Sequence, residues 1–222
     1  MKLLVSLIVC LSIGTVFGQA NVFFDLGVGT RLGTLRSAVD YTPNVAGIHF
    51  NGGVGYMANP VIGIKGDVGF DEFSTKYEGN TDPFSFTTRA AMLRFSLQGV
   101  LSISNWADFG GDKFSLNFHT GFGWSTMWNK DFKTKYPDFD DDRLAEKHDD
   151  MGNIIFGFTP MFNFNDELSL TLDLSYVALI GNDKGADFLL EKLEKINTGY
   201  TNVSLGLNFR IPAKKKSTTR LR

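Results

Sequence analysis

The sequence has one cysteine, Cys10, no marked excess of charge, and no long apolar run beyond its first eighteen residues. Lys and Arg total 22 against 24 Asp and Glu, a formal net charge of −2. Because nothing in this balance suggests a basic surface, we expect no nucleic-acid partner. No later stretch approaches the roughly 18 consecutive apolar residues of a membrane-spanning helix. The periodicity of the side chains must therefore decide the fold class.

The first residues have the pattern of an export signal. Lys2 supplies a positive charge, residues 3–16 are apolar, and a small-residue cleavage pattern ends at Gly18. We predict a signal peptide over residues 1–18 and a mature chain that starts near Gln19. The cysteine lies within this signal, so the mature chain has no thiol, which suits an oxidising compartment.

Glycine and aromatic residues are abundant. The chain has 24 Gly and 21 Phe among 222 residues, and its aromatic content is 14%. This combination is expected where large side chains cover one surface of a sheet and glycines let the backbone crowd the other. The length suits a single domain.

Apolar and polar residues alternate with a period of two in eight runs. The seventh run is the clearest, with Leu168, Leu170, Leu172, Leu174 and Tyr176 on one face and Ser169, Thr171, Asp173 and Ser175 on the other. The other runs lie near residues 24–33, 48–56, 62–70, 93–101, 114–124, 153–164 and 203–211. We count about eight strands, each near the roughly 9 to 11 residues that a tilted strand needs to cross a bilayer.

The connections between the runs alternate in length. Tight turns lie at residues 58–60 and 165–166, and a somewhat longer one at 104–113. The remaining connections are long and polar and lie near residues 34–46, 72–87, 126–150 and 181–199. Short periplasmic turns and long extracellular loops are typical of outer-membrane barrels. We predict an all-β, eight-stranded antiparallel up-and-down transmembrane barrel over residues 19–212, followed by a basic periplasmic tail over 213–222.

The volume of the lumen indicates which face points outward. An interior enclosed by about eight strands is only just wide enough for side chains to fill. The Gly, Ser, Asn and Thr face fits inside it, whereas dozens of Phe, Leu, Ile and Trp would overfill it. The large apolar residues should therefore face lipid. A soluble two-sheet sandwich is the alternative, but it would leave Lys65 and Arg94 on faces with no counterpart pattern.

Three of the runs resemble strands of the OmpA-like outer-membrane barrel family, including the barrels common in Bacteroidota. The motifs are Phe24-Asp25-Leu26-Gly27-Val28-Gly29, Leu170-Thr171-Leu172-Asp173-Leu174-Ser175-Tyr176 and Val203-Ser204-Leu205-Gly206-Leu207-Asn208-Phe209. The resemblance covers residues 21–212 and implies recognition of the last strand by the barrel assembly machinery. Full-length relatives continue into a peptidoglycan-binding domain. We expect that domain to be absent here, because only a short tail with three lysines and two arginines follows Pro212. Such a tail could touch anionic headgroups or the cell wall, although a solvated terminus is the favoured interpretation.

Six charged residues fall on the predicted interior face: Asp25, Arg31, Lys65, Asp67, Arg94 and Asp173. Opposite charges in a narrow lumen should pair, because an unpaired buried charge is costly. The family resemblance implies that such a network plugs the interior or gates a very small pore, and we favour the plug.

Other candidate sites are weaker. His49 and His119 share the interior face, and His148 lies in the third predicted loop, but no local motif assembles a nucleophile, a base and an oxyanion donor. That loop is rich in Asp and Glu yet lacks the spacing and glycine of an EF-hand, so a solvated acidic loop is favoured over a cation site. Residues 186–196 have the pattern of a short amphipathic helix. We expect no catalytic residue, no metal and no cofactor.

We therefore expect an integral outer-membrane protein with a structural role in the envelope, a surface-interaction role and no large pore. A small-solute porin gated by interior charge pairs is the first alternative, and a surface adhesin or a barrel enzyme is the second. The expected partners are outer-membrane lipids and lipopolysaccharide, the barrel assembly machinery during biogenesis, and an extracellular partner reached through the long loops. Function in this architecture depends on loops whose partners leave no local motif.

Overall fold

The computed structural model of the chain describes residues 21–32, 47–77, 86–129, 148–181 and 199–211. The predicted signal peptide, the acidic segment from Asp138 to Glu146, the predicted helix over 186–196 and the basic tail lie outside the described residues. No helix within the described part is long and apolar enough to cross a membrane.

The described residues form eight strands and one helical turn. The strands are β1 (Asn21–Leu32), β2 (Gly47–Met57), β3 (Ile62–Tyr77), β4 (Phe86–Ser102), β5 (Phe114–Asn129), β6 (His148–Asn163), β7 (Leu168–Ile180) and β8 (Gly199–Ile211), and the helical turn α1 (Ile103–Trp106) follows β4. Each strand pairs antiparallel with the next, and β1 also pairs with β8, so the sheet closes on itself. The prediction of an eight-stranded antiparallel up-and-down barrel is confirmed.

Four strands extend further than the alternation predicts. β3 and β4 remain paired from Glu72 and Ala91 as far as Tyr77 and Phe86, and β5 and β6 remain paired as far as His148. The predicted loops over 72–87 and 126–150 therefore begin later and end earlier than expected. Strands pair through backbone hydrogen bonds, which do not require alternating side chains. The strands can therefore continue beyond the segments in which apolar and polar residues alternate.

Three described turns lie at one end of the barrel, which we call the turn end; the opposite end is the far end. In two of them an asparagine side chain accepts hydrogen bonds from the backbone. Asn59 Oδ1 accepts from the N–H groups of residues 61 and 62 at 2.8 Å each, and Asn165 Oδ1 accepts from residues 167 and 168 at 2.9 and 2.7 Å. Asn105 donates to the carbonyl of Pro60 at 2.7 Å, and Asn163 to that of Asp112 at 3.0 Å. These bonds tie the turns to one another and define the rim of the barrel.

Large apolar side chains cover the outside of every strand. Examples are Leu26 on β1, Phe50 on β2, Ile64 on β3, Leu97 on β4, Phe122 on β5, Phe156 on β6, Leu174 on β7 and Leu205 on β8. Phe122 is 69% exposed and Leu26 is 62% exposed. An apolar belt that surrounds the whole molecule would be unfavourable in contact with water, and it is the surface expected of a barrel in lipid.

Candidate functional site

The interior of the barrel contains all six charged residues predicted to face it. Four of them form one chain of ion pairs across three strands. Lys65 Nζ lies 3.7 Å from Asp25 Oδ2 and 3.6 Å from Asp67 Oδ2, and Arg94 Nη2 lies 3.7 Å from Asp67 Oδ1. Lys65, Asp67 and Arg94 are each at most 7% exposed. Lys65 thus lies between two carboxylates at distances that are long for hydrogen bonds.

Asp71 extends this chain toward the far end and has the closest contacts. Its carboxylate lies 2.7 Å from His49 Nδ1 and accepts a hydrogen bond of 2.8 Å from the Tyr200 hydroxyl. Arg94 Nη1 lies 3.5 Å from the same carboxylate and 3.2 Å from the Tyr200 oxygen. Residues on β2, β3, β4 and β8 therefore meet at Asp71, which makes it the centre of the network.

Arg31 lies toward the far end and is fully buried. Its Nε donates a hydrogen bond of 2.7 Å to the carbonyl of Glu72, and its guanidinium carbon lies 3.8 Å from the centre of the Phe73 ring. This arrangement combines a charge-assisted hydrogen bond with a cation–π contact. The described contacts of Arg31 thus involve a backbone carbonyl and an aromatic ring.

Asp173, the sixth predicted residue, belongs to a second polar group. Its Oδ2 lies 3.0 Å from His119 Nε2 and accepts a hydrogen bond of 2.8 Å from Thr159, while Ser175 donates to Oδ1. On the other side of the imidazole ring, His119 Nδ1 lies 2.8 Å from Gln98 Oε1. Both ring nitrogens of His119 therefore face side-chain oxygens.

Two glycines make room for these side chains. Gly69 is the register partner of Arg94, and Gly157 is the register partner of His119. A Cβ at Gly69 would lie 2.5 Å from Arg94 Nη2, and one at Gly157 would lie 2.6 Å from His119 Nε2. The long side chain of each pair lies across the neighbouring glycine, so the glycines of the interior face are required for the network to fit.

An apolar cluster fills the interior beside Asp71, and we call it the apolar plug. Its members are buried residues from β3, β4, β5, β6, β7 and β8: Phe73, Ala90, Met92, Met127, Met151, Ile155, Val177, Leu179 and Tyr200. Phe73 and Tyr200 pack edge to face with their ring centres 5.3 Å apart. The expectation that the interior holds Gly, Ser, Asn and Thr, with the large apolar residues outside, is therefore wrong for this layer. Unbranched methionines from β4, β5 and β6 fill much of this layer.

Sequence reasoning missed Asp71 and Tyr200 as members of the network, and it missed the apolar plug. On β3 every second residue faces the lumen, and Asp71 follows Asp67 and Gly69 in this series. Continuing the alternation by one more step would have found it. Met151 and Ile155 likewise share the parity of Asn153 on β6. His148, predicted to lie in a loop, is the first residue of β6. No group of three His, Cys, Asp or Glu side chains in the described ranges is arranged to hold a metal ion.

No protein-family model and no curated protein matches the sequence. Solved structures do match the fold. Neisserial surface protein A superposes with a TM-score of 0.54 at 9% identity, over 86% of this chain and 98% of that one. The N-terminal barrel domain of OprF from Pseudomonas aeruginosa gives 0.46 at 12% identity, over 88% and 98% of the two chains. A major outer membrane protein of Thermus thermophilus gives 0.47 at 14% identity, over 86% and 99%. At such identities the likeness concerns the fold alone, and the first match carries it: the chain has the fold of an eight-stranded outer-membrane β-barrel.

Proposed function

We propose that this protein is an integral outer-membrane barrel that supports the envelope and presents its long connections outward, with no large pore. The apolar belt around all eight strands supports the location in lipid. In that setting the turn end faces the periplasm and the far end faces the outside, because outer-membrane barrels have short periplasmic turns and longer extracellular loops. Both Val22 and Ile211, which are register partners, then lie on the periplasmic side.

The single observation that carries the structural role is the filled lumen. A solute that enters from the turn end meets the pairs around Lys65 and then a layer in which the Asp71 cluster and the apolar plug lie side by side, since Tyr200 belongs to both and Met92 is the register partner of Asp71. The plug is tightly packed, with Phe73, Met92 and Val177 fully buried. Ions cross an apolar constriction poorly because they would have to lose their hydration. A barrel whose lumen is filled in this way is suited to support rather than to flux.

The test is conductance after reconstitution. Purified protein is first checked for a gel mobility that changes on boiling, which identifies a folded barrel, and is then inserted into planar lipid bilayers. We expect no current steps above the baseline. The control is a variant in which Met92, Met127 and Met151 are all replaced by Ala, which removes much of the plug and should conduct if the plug is the barrier. Steady conductance of the unaltered protein would contradict the proposal.

A gated small-solute channel is the second candidate, and one observation favours it. Arg94 lies between Asp67 and Asp71 at nearly equal distances, 3.7 and 3.5 Å, and Lys65 lies between Asp25 and Asp67 at 3.7 and 3.6 Å. A cation with two similar partners can change partners with little loss of energy. Single-channel recording on Arg94→Ala separates the two candidates, because an unchanged, closed barrel removes the gate from consideration.

We propose that the barrel has no enzymatic activity of its own. Support comes from His119, whose two ring nitrogens face Gln98 and Asp173, so that neither is directed toward a hydroxyl nucleophile. The proposed partners are lipopolysaccharide and other lipids of the outer membrane, the assembly machinery during insertion, and an extracellular molecule bound by the long connections. An adhesin role belongs to the same proposal. It would be seen as binding that disappears when the connections are shortened and the strands kept.

A further inference from the structure

A cavity of about 330 Å³ opens at the turn end of the lumen. Its rim is formed by the turns, at Pro60, Asn105, Asp112 and Asp166, and its inner end is lined by Asp25, Lys65 and His119. This volume lies at the lower end of the range of small-molecule sites, about 300 to 1,000 Å³. The cavity is thus large enough for a small organic molecule and lies on the side opposite to the apolar plug.

Arg210 supplies a guanidinium group to this cavity, and its direct contacts within the described ranges include no carboxylate. Its Nε donates a hydrogen bond of 3.0 Å to Asn208 Oδ1, and its Nη2 donates to Asn163 Oδ1 and Ser169 Oγ at 3.2 Å each. All these acceptors are neutral. None of the ion pairs formed within the described part of the chain includes Arg210. The neutral acceptors hold the guanidinium in place, and the carboxylates of Asp25 and Asp166 act on its charge only from a longer distance.

A second cation faces the same cavity. The Lys65 ammonium has carboxylates only at 3.6 and 3.7 Å, beyond ordinary hydrogen-bond length. It is connected to Arg210 through Asp25 and Asn208, since Asn208 Nδ2 donates to Asp25 Oδ1 at 2.6 Å. The two cations therefore flank one polar wall, formed by Asp25 and Asn208.

Apolar side chains also line the cavity. They are Phe23 on β1, Met57 on β2, Val100 on β4 and Met161 on β6, and the next interior-facing residue on each of these strands is polar or glycine. Phe23 is 7% exposed and Met161 is 5% exposed. A ligand that fits both the charged and the apolar parts of this lining has an anionic head and an apolar body.

The acidic groups of the cavity limit the charge of that ligand. Asp25 is already bonded to Asn208 and faces Lys65, while Asp112 and Asp166 lie exposed on the rim. A dianion would be repelled by these carboxylates. A ligand with one negative charge that reaches Arg210 and has no charge at its other end avoids this repulsion.

We propose that this cavity is a binding site, open to the periplasmic side, for a small monocarboxylate with a short apolar or aromatic body. Its carboxylate pairs with the Arg210 guanidinium through Nη1, since Nε and Nη2 already donate to Asn208, Asn163 and Ser169. Lys65 adds charge from the inner end, and the apolar body lies against Phe23, Val100 and Met161. The site is separate from any conducting path, because the apolar plug closes the other end of the lumen. Its orientation toward the periplasm rests on the proposed function, whereas binding itself is tested independently of it.

The methionines provide the readout. The full chain, refolded in nonionic micelles with ¹³C-labelled methionine methyl groups, is titrated with phenylacetate and followed by NMR. Met57 and Met161 line the cavity, whereas Met92, Met127 and Met151 lie in the apolar plug. We expect the first two signals to shift and saturate in the millimolar range and the other three to remain in place. Equal shifts of all five would indicate partition into the micelle and would overturn the proposal.

Variants and other probes test the chemistry of recognition. Arg210→Gln should weaken binding about tenfold or more, and Arg210→Lys should weaken it less. Val100→Trp should abolish binding by filling the cavity, with folding verified by heat-modifiable mobility. Arg89→Gln, on the exposed face near the far end, is the matched control and should bind as the unaltered protein does. Binding of 2-phenylethanol or inorganic phosphate as strong as that of phenylacetate, or an unchanged affinity of Arg210→Gln, would refute the proposal.

Discussion

The Tyr200 hydroxyl donates a hydrogen bond of 2.8 Å to the Asp71 carboxylate across the lumen, although 129 residues separate the two in the chain. The bond connects β8 with β3, which are not paired in the sheet. It therefore braces the barrel from within, and its removal tests how much of the stability comes from the interior rather than from the pairing of adjacent strands.

Tyr200→Phe removes this hydroxyl and keeps the ring that packs against Phe73. We expect the free energy of unfolding to fall by about 1 to 3 kcal/mol, because Asp71 and Arg94 each lose a buried partner. Urea titration in lipid vesicles, read by gel mobility, measures the change. Tyr176→Phe is the control, since Tyr176 lies on the lipid-facing surface and should have little effect. Equal effects of the two variants would argue against the brace.

Arg94→Met leaves two buried carboxylates, Asp67 and Asp71, without this cation. Because an uncompensated buried charge is expensive, we expect a loss of about 3 to 5 kcal/mol in the same unfolding assay. Arg89→Met, on the exposed face of the same strand, should change stability by less than about 1 kcal/mol. A small effect at Arg94 would mean that water enters the lumen and solvates the acids.

Gly157→Ala places a methyl group against the His119 ring. We expect a loss of about 1 to 3 kcal/mol, because the new Cβ crowds both the His119 imidazole and the carbonyl oxygen of Leu174. Gly99→Ala is the matched control, because the nearest atom to a Cβ there is the Thr120 carbonyl oxygen at 3.8 Å. If both variants lose the same free energy of unfolding, the cost comes from replacing a strand glycine, and the contact between Gly157 and His119 is unimportant.

Phe122→Arg tests whether the belt faces lipid. Phe122 lies midway along β5 and is 69% exposed, so a charge there would lie near the middle of a bilayer and cost about 2 to 4 kcal/mol of folding free energy in vesicles. Trp106→Arg, in α1 at the turn end, should cost only about 0 to 1 kcal/mol because it lies near the interface. Equal costs, or efficient folding of Phe122→Arg without lipid, would show that the belt is not in a membrane.

The architecture was predictable because the side-chain period of a strand is two and the lumen is narrow. Once Ile64 is assigned to the lipid-facing surface, Lys65, the next residue on the strand, must face the lumen. The other five interior charges are assigned to the lumen in the same way, each from the alternation on its own strand. The alternation does not show that Gly157 lies beside His119, because that contact depends on the register between β5 and β6. Register depends on pairing between distant segments, which one sequence does not reveal.

The partners of the interior charges were less predictable. Asp71 accepts a hydrogen bond from the neutral Tyr200 hydroxyl, and Arg31 stacks on the Phe73 ring. The alternation in the sequence indicates only that all four side chains face the lumen. The apolar plug was missed because Met92, Met127 and Met151 stand on three strands, where each looks like an isolated exception to the alternation. A cluster of this kind becomes visible only when the barrel closes.

The seam between β1 and β8 extends from Val22 and Ile211 to Leu32 and Thr201. β1, the first strand to be synthesised, therefore keeps one edge of unpaired backbone N–H and C=O groups until β8 is available. Such an edge is a template for pairing with any other exposed strand, in a second copy or in a helper protein. We expect that every fragment ending before Gly199 has two open edges and cannot remain in hydrocarbon, so insertion of this barrel is all or none.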